Sequence, residues 1–215
     1  MRTVHGWAFP DADEFMANEM KPDGSYQAGH LRIALDYVKD WSVAIDGGAH
    51  VGTWTRVMSQ RFGRVIAVEP SADTREALLA NLATFWCDNV EVRAVALGDA
   101  VGRVRMTLDA GSRAEQMKNT GARHVVDGGD VPLERIDDWG LESLGLLKLD
   151  IEGSEPRAIR GALETLQRCR PIVIYEEKGF GRRYGDTPGA AARALKSIGY
   201  RLITTVKMDH VWGPS

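Results

Sequence analysis

The sequence has few cysteines and no long apolar stretch. Its two cysteines, Cys87 and Cys169, stand far apart and show neither a CxxC pair nor a Cys/His ligand spacing. This pattern predicts free thiols and argues against a disulfide framework or a zinc site. No run of about 18 apolar residues occurs, and the first residues lack a basic stretch followed by an apolar one. We therefore expect a cytoplasmic protein that does not enter a membrane.

An excess of charge is also absent. The net charge is -3 at pH 7 and the isoelectric point lies near 6.0, which gives no overall attraction to nucleic acid or to an anionic membrane. With 215 residues, of which 44% are hydrophobic and 27% charged, the chain has the length and composition of one globular domain. We expect a single domain over residues 1–215 with a small molecule as its partner. The sequence leaves the oligomeric state open.

Short apolar runs alternate with helical patterns along the chain, which indicates a parallel α/β fold. The last two runs, Tyr200–Val206 and His210–Trp212, are placed to form an antiparallel pair. We therefore expect a doubly wound, seven-stranded, mostly parallel sheet that is closed by an antiparallel strand. The other predicted strands are Val43–Ile45, Val65–Val68, Val90–Ala96, Leu146–Leu149 and Ile172–Tyr175, with Val104–Leu108 as an extra strand that is reached through the turn at Gly102.

Two further segments are predicted to border the active site. Residues 109–130 are polar and rich in glycine without a clear period, and a loop of this length in a compact domain is usually functional. Residues 1–42 precede the first strand, and the mixed apolar pattern from Leu31 to Val38 favours a helix. We expect residues 109–130 to form an active-site loop and residues 1–42 to form a helical cover over the pocket.

The first strand ends in a glycine-rich turn, Asp46-Gly47-Gly48-Ala49-His50-Val51-Gly52. In a parallel sheet, ligands bind outside the carboxyl ends of the strands, where glycines allow a sharp turn and close approach of the backbone. The turn also satisfies G-x-A-x-x-G, which is close to a dinucleotide fingerprint, so a nicotinamide-dependent oxidoreductase is an alternative. Asp46 argues against that alternative, because a carboxylate would repel pyrophosphate but favour the ammonium of a methionine moiety.

Polar residues also follow the later strands. Glu69-Pro70 follows the second strand, where a carboxylate can accept hydrogen bonds from both ribose hydroxyls of an adenosine ligand. Leu97-Gly98-Asp99 follows the third strand and is placed to line the adenine, with Asp99 accepting from its exocyclic amine. The fourth strand leads into Lys148-Leu149-Asp150-Ile151-Glu152-Gly153-Ser154-Glu155. These segments predict an adenosine-type ligand with a carboxylate-rich site beside it.

Four motifs together resemble the FkbM-type family of S-adenosylmethionine-dependent methyltransferases. They are DGGAHVG, AVEP, ALGD and VPLERIDDWGLESLGLLKLDIEGSE. The last is the most specific, because the family has a "tLDd" element before a strand that ends in "KxDxEGxE". Arg135-Ile136 replaces the usual Thr-Leu of that element. The resemblance covers residues 43–175 and implies the Rossmann-like fold of class I methyltransferases.

The resemblance also implies a cofactor, S-adenosyl-L-methionine, and roles for individual residues. It places Asp46, Gly48 and Gly52 in the cofactor loop, Glu69 at the ribose, and Asp150 with Glu152 near the reacting methyl group. The full set of expected cofactor residues is Asp46, Gly47, Gly48, His50, Val51, Gly52, Glu69, Pro70, Leu97, Gly98, Asp99, Asp150 and Glu152.

A base is needed only if the methyl acceptor is a hydroxyl. Asp150, Glu177 and His30 are the catalytic candidates, with His30 one helical turn from Tyr26. Further carboxyl and imidazole candidates are Glu176, His50 and His124, of which we expect His50 to pack over the cofactor instead. Asp150 also suits a divalent cation, but the sequence shows no dedicated carboxylate cage, so we expect no metal.

The preferred hypothesis is an S-adenosylmethionine-dependent enzyme that O-methylates a hydroxyl of a small molecule or a sugar, with the acceptor class implied by the resemblance alone. Two alternatives stay open: a nicotinamide-dependent Rossmann oxidoreductase and a catalytically idle scaffold that retains the cofactor fold.

Overall fold

The computed structural model describes residues 1–24 and 28–215. Within these residues the strands are β1 Arg2–Val4, β2 Trp7–Phe9, β3 Val43–Gly47, β4 Arg64–Val68, β5 Val90–Arg93, β6 Ala96–Leu97, β7 Gly102–Thr107, β8 His124–Asp127, β9 Val131–Glu134, β10 Leu146–Leu149, β11 Ile172–Glu176, β12 Tyr200–Val206 and β13 Asp209–Pro214. The α-helices are α1 Glu14–Glu19, α2 Ala28–Leu35, α3 Thr53–Ser59, α4 Ala72–Thr84, α5 Arg113–Gln116, α6 Glu155–Arg160, α7 Leu163–Cys169 and α8 Ala190–Ser197. Short 3-10 turns cover Thr120–Ala122, Ile136–Trp139 and Phe180–Tyr184.

The main sheet has seven strands in the order β12-β13-β11-β10-β3-β4-β5. The five strands from β11 to β5 are parallel to one another, and β13 runs antiparallel to both β11 and β12. This confirms the predicted mostly parallel sheet with an antiparallel closing strand. The chain moves from β3 outward to β4 and later returns to β10 on the other side of β3. The switch point, where ligands bind in such sheets, is therefore at the carboxyl ends of β3 and β10.

Alternate residues of the central strands supply two cores, one on each face of the sheet. Ile45 and Leu147 are fully buried against α6, α7 and α8. Ala44 and Leu146, their neighbours in the chain, are fully buried on the opposite face against α2 and α3. Because side chains alternate across a strand, an uninterrupted apolar run is what a sheet covered on both faces requires.

The predicted strand Val90–Ala96 is not continuous, and residues 109–130, predicted as an active-site loop, contain regular structure. The strand divides into β5 in the main sheet and β6 in a second, four-stranded sheet of order β6-β9-β7-β8. Residues 109–130 contain α5, a 3-10 turn and β8, which pairs antiparallel with β7. Pairing with a neighbouring strand therefore orders part of a segment whose own sequence shows no period.

The N-terminal segment is only partly the predicted helical cover. It begins with the β1-β2 hairpin, and Asn81 of α4 bonds the backbone of Ala8 in both directions, at 2.7 and 2.9 Å. Leu31 of α2 is fully buried in the core beneath the sheet. The cover over the pocket comes from α1 instead, through Phe15 and Met16. Tyr26 lies outside the described residues.

The chain between β10 and β11 forms two short helices, α6 and α7. The carboxylate of Asp137 accepts hydrogen bonds from the N–H groups of Glu164 and Thr165, at 3.2 and 2.8 Å. A carboxylate at this position caps a helix N-terminus, which explains why a new helix begins at Leu163. None of the described helices has the length and apolar character needed to cross a membrane.

Candidate active site

A pocket lies at the switch point, against the carboxyl ends of β3, β4, β10 and β11. Its roof comes from α1 and from the segment before β8. The residues that line it are Phe15, Met16, Gly48, Ala49, His50, Thr53, Trp54, Val68, Glu69, Pro70, Ser71, Val95, Ala96, Leu97, Met106, Asn119, Thr120, Gly121, Arg123, Val125, Lys148, Asp150, Ile151, Glu152, Ser154, Glu176 and Lys178.

The turn after β3 brings its backbone against the turn after β10. Gly48 has a φ of +77°, and a Cβ at this position would lie 2.0 Å from the carbonyl oxygen of Asp150. The N–H groups of Gly48 and Ala49 both donate to the carbonyl of Val68, at 3.0 Å. Gly52, with a φ of +91°, is the N-cap residue just before α3. A side chain at Gly48 would separate the two turns, so glycine is required there.

Asp46 does not line the pocket, which corrects its predicted place beside the cofactor ammonium. The side chain is fully buried; Lys148 Nζ lies 2.8 Å from Asp46 Oδ1, and the Thr55 hydroxyl donates to Oδ2 at 2.6 Å. Lys148 also donates to the carbonyl of Gly48 at 2.8 Å. Burial alone would lower the pKa of Lys148, but the charges of Asp46 and Asp150 outweigh it and raise that pKa. Asp46 thus holds Lys148 against the glycine turn.

Glu69 faces the pocket at the end of β4, where the sequence predicts a ribose contact. The N–H of His50 donates to Glu69 Oε2 at 3.0 Å and the N–H of Ser71 donates to Oε1 at 2.8 Å. Burial raises the pKa of this carboxyl above its ordinary value despite the nearby His50. Each carboxylate oxygen keeps a further acceptor site for a ligand hydroxyl.

Only part of the segment Leu97-Gly98-Asp99, which was predicted to line the adenine, lies in the pocket. Leu97 lines the pocket together with Val95 and Ala96, whereas Gly98 and Asp99 do not. Asp99 instead accepts from Arg157 Nε at 3.2 Å and from Arg160 Nε at 2.8 Å. Its carboxylate is therefore occupied by two guanidinium groups on α6, and we assign it a structural role.

Three carboxyl groups meet one ammonium on the opposite wall. Carboxylate oxygens of Asp150, Glu152 and Glu176 lie within 4.8 Å of one another. Lys178 Nζ lies 3.7 Å from Asp150, 2.8 Å from Glu152 and 2.6 Å from Glu176. Lys178 was not among the predicted site residues, because it follows the strand by two positions in a segment that shows no motif. Burial, followed by the charge of Asp150, raises the pKa of Glu176 to about 8.

The other two predicted catalytic residues do not line the pocket. The side chain of Glu177 borders a separate small cleft with Pro156 and Arg182. His30 Nδ1 lies 2.5 Å from Asp209 Oδ2, and Asp209 is paired in register with Glu176 across β13 and β11. Of the predicted catalytic set, the structure therefore places only Asp150 in the pocket wall.

His50, which the sequence predicts to pack over the cofactor, lines the pocket and contacts its roof. Its Nε2 is 2.9 Å from Asp13 Oδ2 and 3.2 Å from the Thr120 hydroxyl. The Thr120 hydroxyl in turn donates to Asp13 at 2.7 Å. Asp13 is fully buried, and nothing in its local sequence signals this role, since its partners lie far along the chain.

The remaining predicted cofactor residues have different places. Pro70 and Glu152 line the pocket. Gly47 is the last residue of β3, and Val51 is fully buried against the N-terminal hairpin in a cluster with Trp7. His124, which lies in the predicted active-site loop, is buried at the start of β8.

Two proteins of known sequence are similar to this chain. The 2-O-methyltransferase NoeI of Sinorhizobium fredii (strain NBRC 101917 / NGR234) is 28% identical over 184 residues, which cover 76% of this chain and 74% of NoeI. The AMB antimetabolite synthetase AmbE of Pseudomonas aeruginosa is 26% identical over 220 residues, which cover 83% of this chain and 10% of AmbE. The chain thus spans only a tenth of AmbE.

Solved structures share the fold. Methyltransferase FkbM from Methylobacillus flagellatus KT superposes with a TM-score of 0.51 at 19% identity, covering 80% of this chain and 42% of that one. SMU.1697c from Streptococcus mutans, solved in complex with SAH, gives a TM-score of 0.51 at 11% identity and covers 86% and 94% of the two chains. These similarities are evidence for the fold.

The family follows from the sequence match. Residues 46–202, well over half of the chain, match the Methyltransferase FkbM domain. The match includes the glycine turn, Glu69 and the carboxylate cluster, and it disfavours the nicotinamide-dependent alternative. The chain belongs to the FkbM methyltransferase family.

Proposed function

We propose that this protein uses S-adenosylmethionine to methylate a hydroxyl of a small molecule or a sugar. The observation that carries the proposal is the meeting of Gly48, Glu69 and Asp150 around one pocket at the switch point of the sheet. NoeI, a relative that spans most of this chain, is by name a 2-O-methyltransferase, which supports oxygen as the methylated atom.

The residues present fit the cofactor. At Gly48 the carbonyl of Asp150 fills the space that a Cβ would need, so glycine lets the two turns that border the pocket lie against each other. Glu69 offers a carboxylate to the two ribose hydroxyls. The apolar side chains of Val95 and Leu97 line the same pocket and suit the adenine ring. Glu69 would therefore hold the ribose, with Asp150 at the reacting end.

The cofactor, when bound, supplies a methyl group on a positively charged sulfur. The protein's part is to position the acceptor oxygen, exclude water and receive a proton. Phe15 and Met16 of the roof are both apolar, Phe15 half-buried and Met16 buried, and they limit access of water. Asp150, ionised because Lys178 and Lys148 keep its pKa below the ordinary value despite partial burial, is placed to accept the hydroxyl proton.

The carboxylates of the pocket wall, Asp150, Glu152 and Glu176, also indicate the kind of acceptor that the pocket suits and whether it needs a metal ion. Carboxylates accept hydrogen bonds, so Glu152 and Asp150 suit an acceptor that carries several hydroxyl groups. Lys178 supplies the positive charge that a divalent cation would otherwise bring to this cluster. We therefore propose that the reaction needs no metal, and chelation with EDTA should leave it unchanged.

Isothermal titration with S-adenosylhomocysteine tests the cofactor site without knowledge of the acceptor. We expect micromolar binding to the native protein and weaker binding by roughly 1 to 3 kcal/mol for Glu69→Ala, since charge-assisted contacts to ribose are lost. Glu76→Ala, on the exposed side of α4, is the matched control. No binding, or equal binding by Glu69→Ala, would contradict the proposed site. Transfer of radiolabelled methyl to a panel of sugars then tests the acceptor class.

A further inference from the structure

The pocket wall after β10 and β11 holds more negative than positive charge. Asp150, Glu152 and Glu176 cluster within 4.8 Å, and Lys178 is the ammonium that contacts all three. Lys148, the other lysine in the pocket lining, is paired with a different carboxylate. One ammonium does not balance three carboxylates at this spacing, so repulsion favours the retention of a proton within the cluster.

Two of the three carboxyl groups are placed to hold that proton together. Carboxylate oxygens of Asp150 and Glu176 lie within 4.8 Å of each other, and like charges at this spacing favour a proton on one of them. The side chain of Asp150 is 40% exposed to the pocket, whereas that of Glu176 is 11% exposed. The proton therefore resides on the more buried Glu176, and the ionised Asp150 faces the pocket. The pKa of about 8 that burial and Asp150 give to Glu176 agrees with this assignment.

We infer that Asp150 and Glu176 form a proton-sharing pair, which loses its proton when a sulfonium enters the pocket and takes up the acceptor proton during methyl transfer. The inference rests on the proposed function, because it is S-adenosylmethionine that brings a positive charge. S-adenosylhomocysteine, its product, has a neutral thioether in the same place. The two ligands therefore differ in the charge that the pair experiences.

Charge is conserved in the pocket during such a transfer. The acceptor oxygen forms a bond to the methyl carbon while the carbon–sulfur bond breaks, and the electron pair of that bond stays on sulfur. The hydroxyl proton moves to Asp150, which shares it with Glu176. Sulfur thus loses its positive charge as the carboxyl pair loses one negative charge. In a pocket of low dielectric constant, this coupling avoids the cost of separated charges.

Other charged groups surround the pair. One of them, Glu155 in the first turn of α6, is a buried carboxyl whose pKa burial raises to about 7. Its titration overlaps that of Glu176, so a control for Glu155 is needed. The groups that face the pair are Lys178, Lys148, Glu152, His50, Glu155 and Asp209 with its partner His30.

Calorimetry in two buffers of different ionisation enthalpy measures the protons released on binding. At pH 7 we expect the native protein to release up to about one proton more per S-adenosylmethionine than Glu176→Gln does, and no such difference with S-adenosylhomocysteine. The comparison of proteins with the same ligand cancels the titration of the ligand's own amino group. Because binding removes a proton, native affinity for S-adenosylmethionine should also gain up to about tenfold per pH unit between pH 6 and 8 relative to the variant.

Two variants, Glu177→Gln and Glu155→Gln, serve as controls for the proton release. Glu177→Gln makes the same chemical change one residue away, outside the pocket, and should behave like the native protein. Equal proton release by the native protein and Glu176→Gln would overturn the pair. Release that is lost in Glu155→Gln and kept in Glu176→Gln would also overturn it, since the proton would belong to Glu155.

A second route covers the case in which Glu176→Gln does not fold. Asp150→Asn removes the charge that keeps Glu176 protonated, so this variant should also lack the extra proton release. Release that persists in Asp150→Asn would contradict the inference. If neither ligand binds the native protein, the proposed function itself fails, which separates the two failures.

Discussion

Asp13 Oδ2 lies 2.9 Å from His50 Nε2, and this contact joins the N-terminal segment to the glycine turn of the active site. Asp13 is fully buried, and it also accepts from Thr120 in the segment before β8. The N–H of His50 in turn donates to Glu69. One buried carboxylate thereby connects both parts of the roof to the residue that we propose binds ribose.

Asp13→Asn should therefore loosen the roof and weaken ligand binding. The amide removes a charged partner from His50, and breaking a buried charge-assisted contact costs about 1 to 3 kcal/mol. We expect a loss of this size in the free energy of unfolding and weaker binding of S-adenosylhomocysteine. Urea unfolding and calorimetry measure the two effects. Asp11→Asn, at an exposed position nearby, should change neither, and an unaltered Asp13→Asn protein would show that the contact is dispensable.

The same carboxylate predicts a pH dependence of stability. Burial alone would raise the pKa of Asp13, but the hydrogen bond and charge of His50 and the Thr120 hydroxyl outweigh it, so the pKa lies below its ordinary value of 3.8. The ionised form therefore stabilises the fold above that value, and the contribution disappears as the pH falls toward the lower pKa of the folded state. Lowering the pH below 4 should reduce the free energy of unfolding more for the native protein than for Asp13→Asn, and urea unfolding measures this difference. Parallel pH profiles would contradict the prediction.

The main sheet was predictable because its strands are local signals. Leu146–Leu149 has the predicted bounds, since a short apolar run buried on both faces is visible in the sequence itself. β8 was missed because its apolar part is only Val125 and Val126, and its strand conformation depends on pairing with β7. Edge elements of this kind owe their order to a partner that the local sequence does not reveal.

The site was predictable only as far as strand ends determine it. Glu69 and Asp150 follow parallel strands, whose carboxyl ends meet at one edge, so their place in the pocket could be expected. Contacts between distant parts of the chain could not be predicted from the sequence. Asp99 meets Arg160 across 61 residues, and Asp13 meets Thr120 across 107 residues. A single sequence does not distinguish a strand-end carboxylate that faces the pocket from one that is paired with arginine.

The buried pair of Lys148 and Asp46 should respond asymmetrically to substitution. Lys148→Met leaves Asp46 buried without its charged partner, which typically costs about 3 to 5 kcal/mol. The double variant with Asp46→Asn removes both charges and should recover part of that loss. Urea unfolding of the native protein, both single variants and the double variant gives the coupling between the two residues. Lys39→Met, at an exposed position, is the control, and additive losses would mean that the two charges do not interact.

Asp99 and Glu69 give opposite predictions although both carboxylates follow strands in the sequence. Asp99→Asn loses partly exposed ion pairs with Arg157 and Arg160, for which a stability loss of about 1 kcal/mol or less is typical. Asp99 lies outside the pocket. The Asp99→Asn protein should therefore bind S-adenosylhomocysteine as tightly as the native protein, whereas the Glu69→Ala protein should bind it more weakly. Titration of both variants with this ligand makes the comparison. A loss of affinity in Asp99→Asn similar to that of Glu69→Ala would restore Asp99 to the adenine site and show that its arginine pairs open when the ligand binds.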